Sequence, residues 1–359
     1  MFTVNELGWN EFFQDQYDSH INKNIFEPGR IAVENKHRYI VFSRYGELSA
    51  EVSGRLLFSA DTTASFPKVG DWVMMNVFPE EQKAIIQEIL GRKTVFSRKA
   101  AGIKIEEQIV AANIDVLFIV QSLDSNFNLR RLERYLIMAG NGGIEPVVVL
   151  SKSDLCTNAA ERVEAVKRMA AGIRVVPLSA LTGQGIDDLR EMIVSSKTYA
   201  FVGSSGTGKS TLINSLAGDD IQLTNEVRQK DSRGKHTTTR REMIILPGGG
   251  IVIDTPGMRE FHLWASEESI GEVFDEIDIL ARDCRFSDCR HINEKGCSVL
   301  LALQSGQIST ERYNSYMKLM REQEFLESKT DLNAFLEKKK KDKALKRNIK
   351  HYMKNFNRK

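Results

Sequence analysis

Tyr199-Ala200-Phe201-Val202-Gly203-Ser204-Ser205-Gly206-Thr207-Gly208-Lys209-Ser210-Thr211-Leu212 is the stretch on which the reading of this chain turns. Four strand-type residues run into a loop of pattern G-x-x-x-x-G-K-S, and the run from Thr211 to Leu216 resumes helical spacing. Glycines at Gly203, Gly206 and Gly208 let backbone N–H groups close around phosphates, with Ser204, Ser205, Thr207 and Thr211 completing the wrap. Lys209 is placed to reach the β- and γ-phosphates, and the Ser210 hydroxyl is a Mg²⁺ ligand. The strand-loop-helix placement gives the motif its specificity.

Downstream, the strand Gly250 to Ile253 ends in Asp254-Thr255-Pro256-Gly257. A carboxylate there suits the water shell of Mg²⁺, and the Gly257 N–H suits the γ-phosphate. Between lies Gly234-Lys235-His236-Thr237-Thr238-Thr239. One threonine, with Thr238 and Thr239 as candidates, is expected to close over Mg²⁺ when GTP binds; the sequence leaves open which. Met258 follows Gly257 where Ras-type GTPases carry a water-orienting glutamine. An apolar side chain cannot orient water, so unaided hydrolysis is expected to be slow, and His236 is the catalytic candidate.

Upstream, Ser151-Lys152-Ser153-Asp154 follows the apolar run Pro146 to Leu150. The Asp154 carboxylate can accept both the ring N–H and the exocyclic amine of guanine, whereas adenine would leave it unpaired. Lys152 is expected to lie along the base and against the phosphate loop. Ser179-Ala180-Leu181, after the next strand, offers a backbone N–H at Ala180 to the guanine carbonyl. Ser151 stands where asparagine is usual, which predicts lower affinity with specificity kept by Asp154. The base-reading segments precede the phosphate loop, the reverse of the common order, so the chain reads as a circularly permuted GTPase. The competing readings are a phosphate-loop ATPase or kinase with an incidental zinc, and a non-catalytic GTP-sensing scaffold.

Cys284, Cys289, His291 and Cys297 give three thiolates and one imidazole within a short span, enough for a closed tetrahedral Zn²⁺. Four protein ligands leave no position for substrate water, so the metal is read as structural, one per chain. Cys156 reads as an ordinary buried residue beside the base-reading loop.

Around this centre the pattern divides. Tyr39-Ile40-Val41-Phe42, Gly54-Arg55-Leu56-Leu57-Phe58, Trp72-Val73-Met74-Met75 and Ala84-Ile85-Ile86 are short β-type runs, which predicts a small barrel or sandwich. Glu106 to Ala112 reads as a transition segment. From Asp115, apolar strands alternate with helical spacings such as Leu132-Leu136-Ala139 and Val163-Val166-Met169, the mark of a mainly parallel sheet covered on both faces. Gly248-Gly249-Gly250 predicts a hairpin turn. After Gly257 the chain becomes helical.

A hydrophobic fraction of 42% and a charged fraction of 27% in 359 residues suit a soluble multidomain protein. No apolar run approaches the length of a membrane helix. The N-terminal residues, with Glu6, Glu11 and Asp15, lack a secretory pattern, so no membrane partner and a cytoplasmic location are expected. The net charge of +2 hides an asymmetry: residues 338–359 hold eleven Lys or Arg against one acid, an arm suited to a polyanion.

The permuted order, Gly234 to Thr239, Asp254-Thr255-Pro256-Gly257-Met258-Arg259-Glu260 and the cysteine-histidine cluster together resemble the ribosome small subunit-dependent GTPase A family, RsgA. The resemblance runs from about Gly29 to Val299. It implies an N-terminal OB-type β-barrel (1–98), a central α/β circularly permuted GTPase domain (99–262) and a mostly helical zinc-binding domain (263–337), followed here by the basic tail (338–359). It further implies GTP hydrolysis stimulated by the small ribosomal subunit and its RNA during late assembly, by a monomer cycling between GTP and GDP. Lys235 stands where the family usually has arginine.

Overall fold

The computed structural model describes residues 2–35, 38–60, 62–100, 106–218, 241–255, 264 and 266–326. They fall into two compact units, residues up to 264 apart from a short connector, and the residues after it. His236, Thr238, Thr239, Gly257, Met258 and the basic tail lie outside the described residues.

The first unit opens with helix α1 (Glu11–Ser19), capped by the Asn10 side chain. Strands β1 (Glu27–Asn35), β2 (Arg38–Ser43) and β3 (Gly46–Val52) follow, then helix α2 (Gly54–Ser59) and strands β4 (Trp72–Phe78) and β5 (Lys83–Ile89). The order β1-β2-β3-β5-β4 closes on itself because β1 also pairs with β4, with β3 and β5 parallel. This is a five-stranded barrel of OB type. Alternate residues line its interior: Ile31, Tyr39, Val41, Leu48, Ala50, Val73, Met75, Ala84 and Ile86 are all buried. The sequence expectation of a strand at Gly54 to Phe58 is corrected here. That run is helical because Ser53 caps it by accepting the Leu56 N–H, and Leu57 and Phe58 face outward.

Strands β6 (Val95–Lys99) and β7 (Glu107–Ala112) form a separate antiparallel pair, so the transition segment is itself a strand. Then come β8 (Val116–Ser122), α3 (Leu129–Asn141), β9 (Glu145–Ser151), α4 (Ala159–Met169), β10 (Arg174–Pro177), α5 (Ile186–Glu191), β11 (Thr198–Val202), α6 (Lys209–Ala217), β12 (Glu242–Ile245) and β13 (Ile251–Asp254). The spatial order is β10-β9-β8-β11-β13-β12, parallel except for the β12–β13 hairpin. Leu246 N–H donates to the Gly250 carbonyl at 2.8 Å, placing the three glycines in the hairpin turn as read. One face carries Phe118, Val147, Val149, Tyr199, Phe201 and Val252 against Leu189, Leu212 and Leu216 of α5 and α6. Helix α3 covers β8 and β9 with Leu132 and Leu136, both buried, and starts where Asn128 accepts the Arg131 N–H.

Barrel and nucleotide sheet are not separate layers. The far end of β1 bridges β12 at Val33 and Glu242, so all eleven strands form one sheet. Beside this bridge Glu34 faces Lys68 at 2.5 Å and Arg241 at 4.0 Å. Arg30, 1% exposed, donates to the carbonyls of Leu7, Gly70 and Asn113. Burial pushes that guanidinium down to about 10, against the pull of Asp115 and Asp71.

The second unit is helical: α7 (Glu267–Val273), α8 (Asp275–Arg282), α9 (Ser298–Gln304) and a helix over 310–326. Phe274 is fully buried, with the Arg312 guanidinium 4.0 Å from its ring centre and bound to Glu276. Such a stacked and paired arginine holds two helices by packing as much as by charge.

Candidate functional site

Strand β11 is buried along its whole length, so the chain leaves the sheet at a fixed point and the loop Gly203–Gly208 begins there. At Gly203, φ is +151° and an added Cβ would lie 2.3 Å from the Val120 carbonyl oxygen, so only glycine lets the loop turn this close to β8. Lys209 opens α6 and folds back, its Nζ 2.7 Å from the Gly203 carbonyl and 2.8 Å from that of Ser204. Burial pushes its ammonium down to about 8, with Asp254 pulling the other way. Asp254, itself 5% exposed, ends β13 beside β11. Ser205, Ser210 and Thr211 are exposed at the loop and first helical turn, while Thr207 is buried and donates to the Ser204 carbonyl. A lysine held on loop carbonyls, next to an open turn of backbone amides, is a site waiting for an anion.

The two segments expected to read the base, residues 151–154 and 179–181, sit at the ends of β9 and β10, next to this loop. Ser151 is 3% exposed, and its hydroxyl donates to the Thr207 carbonyl at 2.7 Å. This short side chain thereby ties the end of β9 to the phosphate loop. Ser151→Ala would orphan that buried carbonyl, at about 1–2 kcal/mol, and is expected to weaken GTP binding about tenfold in a fluorescent-nucleotide titration. Lys152 adopts a left-handed backbone (φ 58°), and its Nζ ends on Asp124 at 2.9 Å. Asp154 lies exposed on the short turn Ser153–Leu155. Leu178 N–H binds the Leu150 carbonyl, keeping the two segments adjacent, and Ser153 N–H binds the Leu178 carbonyl. Ser179 is buried and accepts the Thr182 N–H, Ala180 is half-buried against the core of the sheet, and Leu181 turns outward at 86% exposure.

Two residues of this site escape motif reading. Asp124 belongs to the connection between β8 and α3, and Arg131 to the first turn of α3; Arg131 donates to the Ser204 hydroxyl, and Asp124 receives Lys152. The run Asp124-Ser125-Asn126-Phe127-Asn128 signals a turn and a helix cap in sequence, but nothing in it announces partners so far along the chain.

In the second unit, Cys284, Cys289, His291 and Cys297 bring their ligand atoms within 4.8 Å of one another. Cys284 Sγ lies 3.8 Å from Cys297 Sγ and 3.6 Å from His291 Nδ1, which is 3.3 Å from Cys297 Sγ. Ligands at zinc bond lengths in a tetrahedron stand about 3.5–3.8 Å apart, so the donor set and spacing fit such an ion. His291 has φ +58°, uncommon for a side chain of its bulk, and Glu294 stabilises the turn by accepting the Arg290, Ile292 and Asn293 N–H groups. Desolvation works upward on the Glu294 carboxyl, but those donors hold it at about 2. Burial keeps the His291 imidazole below its ordinary value, hence neutral as ligation requires.

This arrangement has close relatives. A protein of Opitutus terrae called small ribosomal subunit biogenesis GTPase RsgA is 44% identical over 338 residues, 92% of each chain. The chain belongs to the RsgA GTPase family. The model of that family, RsgA GTPase, matches residues 89–264, and that of 50S ribosome-binding GTPases matches residues 198–357. The RsgA 2 protein of Lactiplantibacillus plantarum is 45% identical, with 83% of each chain covered. Among solved structures, YjeQ from Thermotoga maritima superposes with a TM-score of 0.60 at 25% identity, covering 83% of this chain and 98% of that one. YloQ, a circularly permuted GTPase, gives the same score at 23% identity, covering 85% and 97%. The fold of this RsgA-family chain is thus the permuted one that its motif order predicts.

Proposed function

We propose that this RsgA-family chain hydrolyses GTP during late maturation of the small ribosomal subunit, as a cytoplasmic monomer whose turnover is stimulated by that subunit. The observation carrying this reading is the Ser151 bond to the Thr207 carbonyl, which ties the guanine-reading segment to the phosphate loop. Asp154 accepts the two guanine N–H groups, and the Ala180 N–H meets the base carbonyl. Lys209 exchanges the Gly203 and Ser204 carbonyls for the β- and γ-phosphates. Ser210 would hold Mg²⁺ with Asp254 near its water shell, and the ion supplies neutralising charge between the phosphates.

His236 is assigned to orient the attacking water, Thr238 or Thr239 to close over the metal-bound nucleotide, and Gly257 to sense the γ-phosphate. Cys284, Cys289, His291 and Cys297 would hold a structural Zn²⁺. The barrel, the metal-bearing unit and the basic tail grip ribosomal RNA through its phosphates.

GTP turnover measured with and without purified small subunits tests this. A clear stimulation is expected, together with loss of about a hundredfold of the stimulated rate in His236→Ala. Equal rates with and without subunits, and no nucleotide-dependent co-sedimentation, would sink the proposal. ATP competing as well as GTP would remove the role given to Asp154.

A further inference from the structure

The lysine of the base-reading segment is not free to wander before nucleotide arrives. Lys152 and Asp124 form a pair at 2.9 Å with side-chain exposures of 34% and 22%. The other Asp124 oxygen accepts the Ser122 hydroxyl and the Asn126 N–H, both at 2.8 Å, so the carboxylate is aimed from three directions. Burial alone would push this carboxyl up, but the Asn126 N–H, Lys152 and Ser122 hold it at about 2, charged at any working pH.

The loop carrying Asp124 is itself pegged. The Gln121 amide donates to the Asn128 carbonyl at 2.8 Å and accepts the Asn128 N–H at 3.1 Å. Arg162 of α4 donates to the Asp124 carbonyl at 3.1 Å, with its guanidinium 5.1 Å from the Phe127 ring centre. A surface ion pair with so many supports around one partner is a fixture rather than a passing contact.

We propose that Asp124 is a positioning residue for guanine-nucleotide recognition, fixing Lys152 so that its methylene stem lies ready along the base. The inference rests on the GTP reading above. A lysine loses rotamer freedom when a base packs on its stem, and pairing with Asp124 takes that loss before binding. Ser151 makes this matter. Its single hydroxyl proton goes to the Thr207 carbonyl, leaving it no donor for the base, so orientation falls to Asp154 and to a lysine set in advance.

The test is a double-substitution cycle on the full chain, read by fluorescent GDP and GTP binding with Mg²⁺ and by saturated turnover. Asp124→Asn keeps the shape and is expected to weaken both nucleotides about five- to tenfold, raising KM while kcat stays unchanged. Asp124→Asn with Lys152→Met should bind no worse than Lys152→Met alone, and Asp124→Glu should recover part of the loss. Affinity within twofold of the parent, strictly additive losses, or a fall in kcat alongside the change in KM would each overturn the proposal. Parent protein that binds ATP as tightly as GTP would instead strike the guanine reading beneath it, and shows before any substitution is made.

Discussion

Lys209→Met is expected to abolish measurable GTP turnover and to weaken GTP binding by on the order of a hundredfold, the loss of a charge-assisted contact worth about 3 kcal/mol. The nucleotide-free variant should nevertheless melt no lower than its parent. Lys209 is buried, satisfied by two carbonyls, and its ammonium is pushed from the ordinary 10.5 to about 8. The free state therefore bears a desolvation cost that the triphosphate relieves. A pH series gives the same argument a second reading. Between about 8 and 10.5 the unfolded chain holds a proton that the folded chain has released, so this group's contribution to stability rises with pH in that window. GTP affinity should move the opposite way, falling by up to tenfold per pH unit above about 8, because binding must return the proton. Calorimetry in two buffers of different ionisation enthalpy would detect the uptake; its absence near pH 8, with flat affinity, would refute the assignment.

Metal loss is expected to act elsewhere. Chelation, or Cys297→Ser, should unfold the span from Cys284 to Cys297 while leaving GTP binding by the first unit within twofold. Within that span only His291 and Cys297 are buried, so apolar burial cannot hold it. Cys297 also starts α9, its Sγ accepting the Leu300 N–H, and the Tyr313 hydroxyl donates to the His291 carbonyl, joining the cluster to the 310–326 helix. Ligation in small zinc sites supplies about 10 kcal/mol or more near neutral pH, so the effect should reach these two helices as well. Hydrogen exchange with and without chelator reads it directly, alongside one zinc per chain by elemental analysis. Protection unchanged across 284–304 after complete metal removal would show that the segment stands without an ion.

The contrast between motif and neighbour explains what could be read in advance. The phosphate loop was legible because its chemistry sits in consecutive residues, and the parallel sheet because strands buried on both faces read as unbroken apolar runs such as Val147 to Leu150. Gly54 to Phe58 misled because five apolar-rich residues fit a strand or one helical turn equally, and the decision lay with a serine just before them. The Lys152 charge goes to Asp124, a partner set by tertiary folding and visible to no local pattern. Ser151 likewise sends its hydroxyl to the Thr207 carbonyl, a tie to the phosphate loop that spans 56 residues of chain and leaves no trace in the local pattern.

The bridge between Val33 and Glu242 carries a consequence for how this architecture can be taken apart. With β1 in place, β12 is an interior strand; without the barrel it becomes a border whose amide and carbonyl groups look for another chain. The barrel is thus a cap on the nucleotide sheet within one compact unit. A fragment cut between barrel and nucleotide sheet would inherit a sticky margin, and any exchange of barrels between relatives would have to carry a matching edge along.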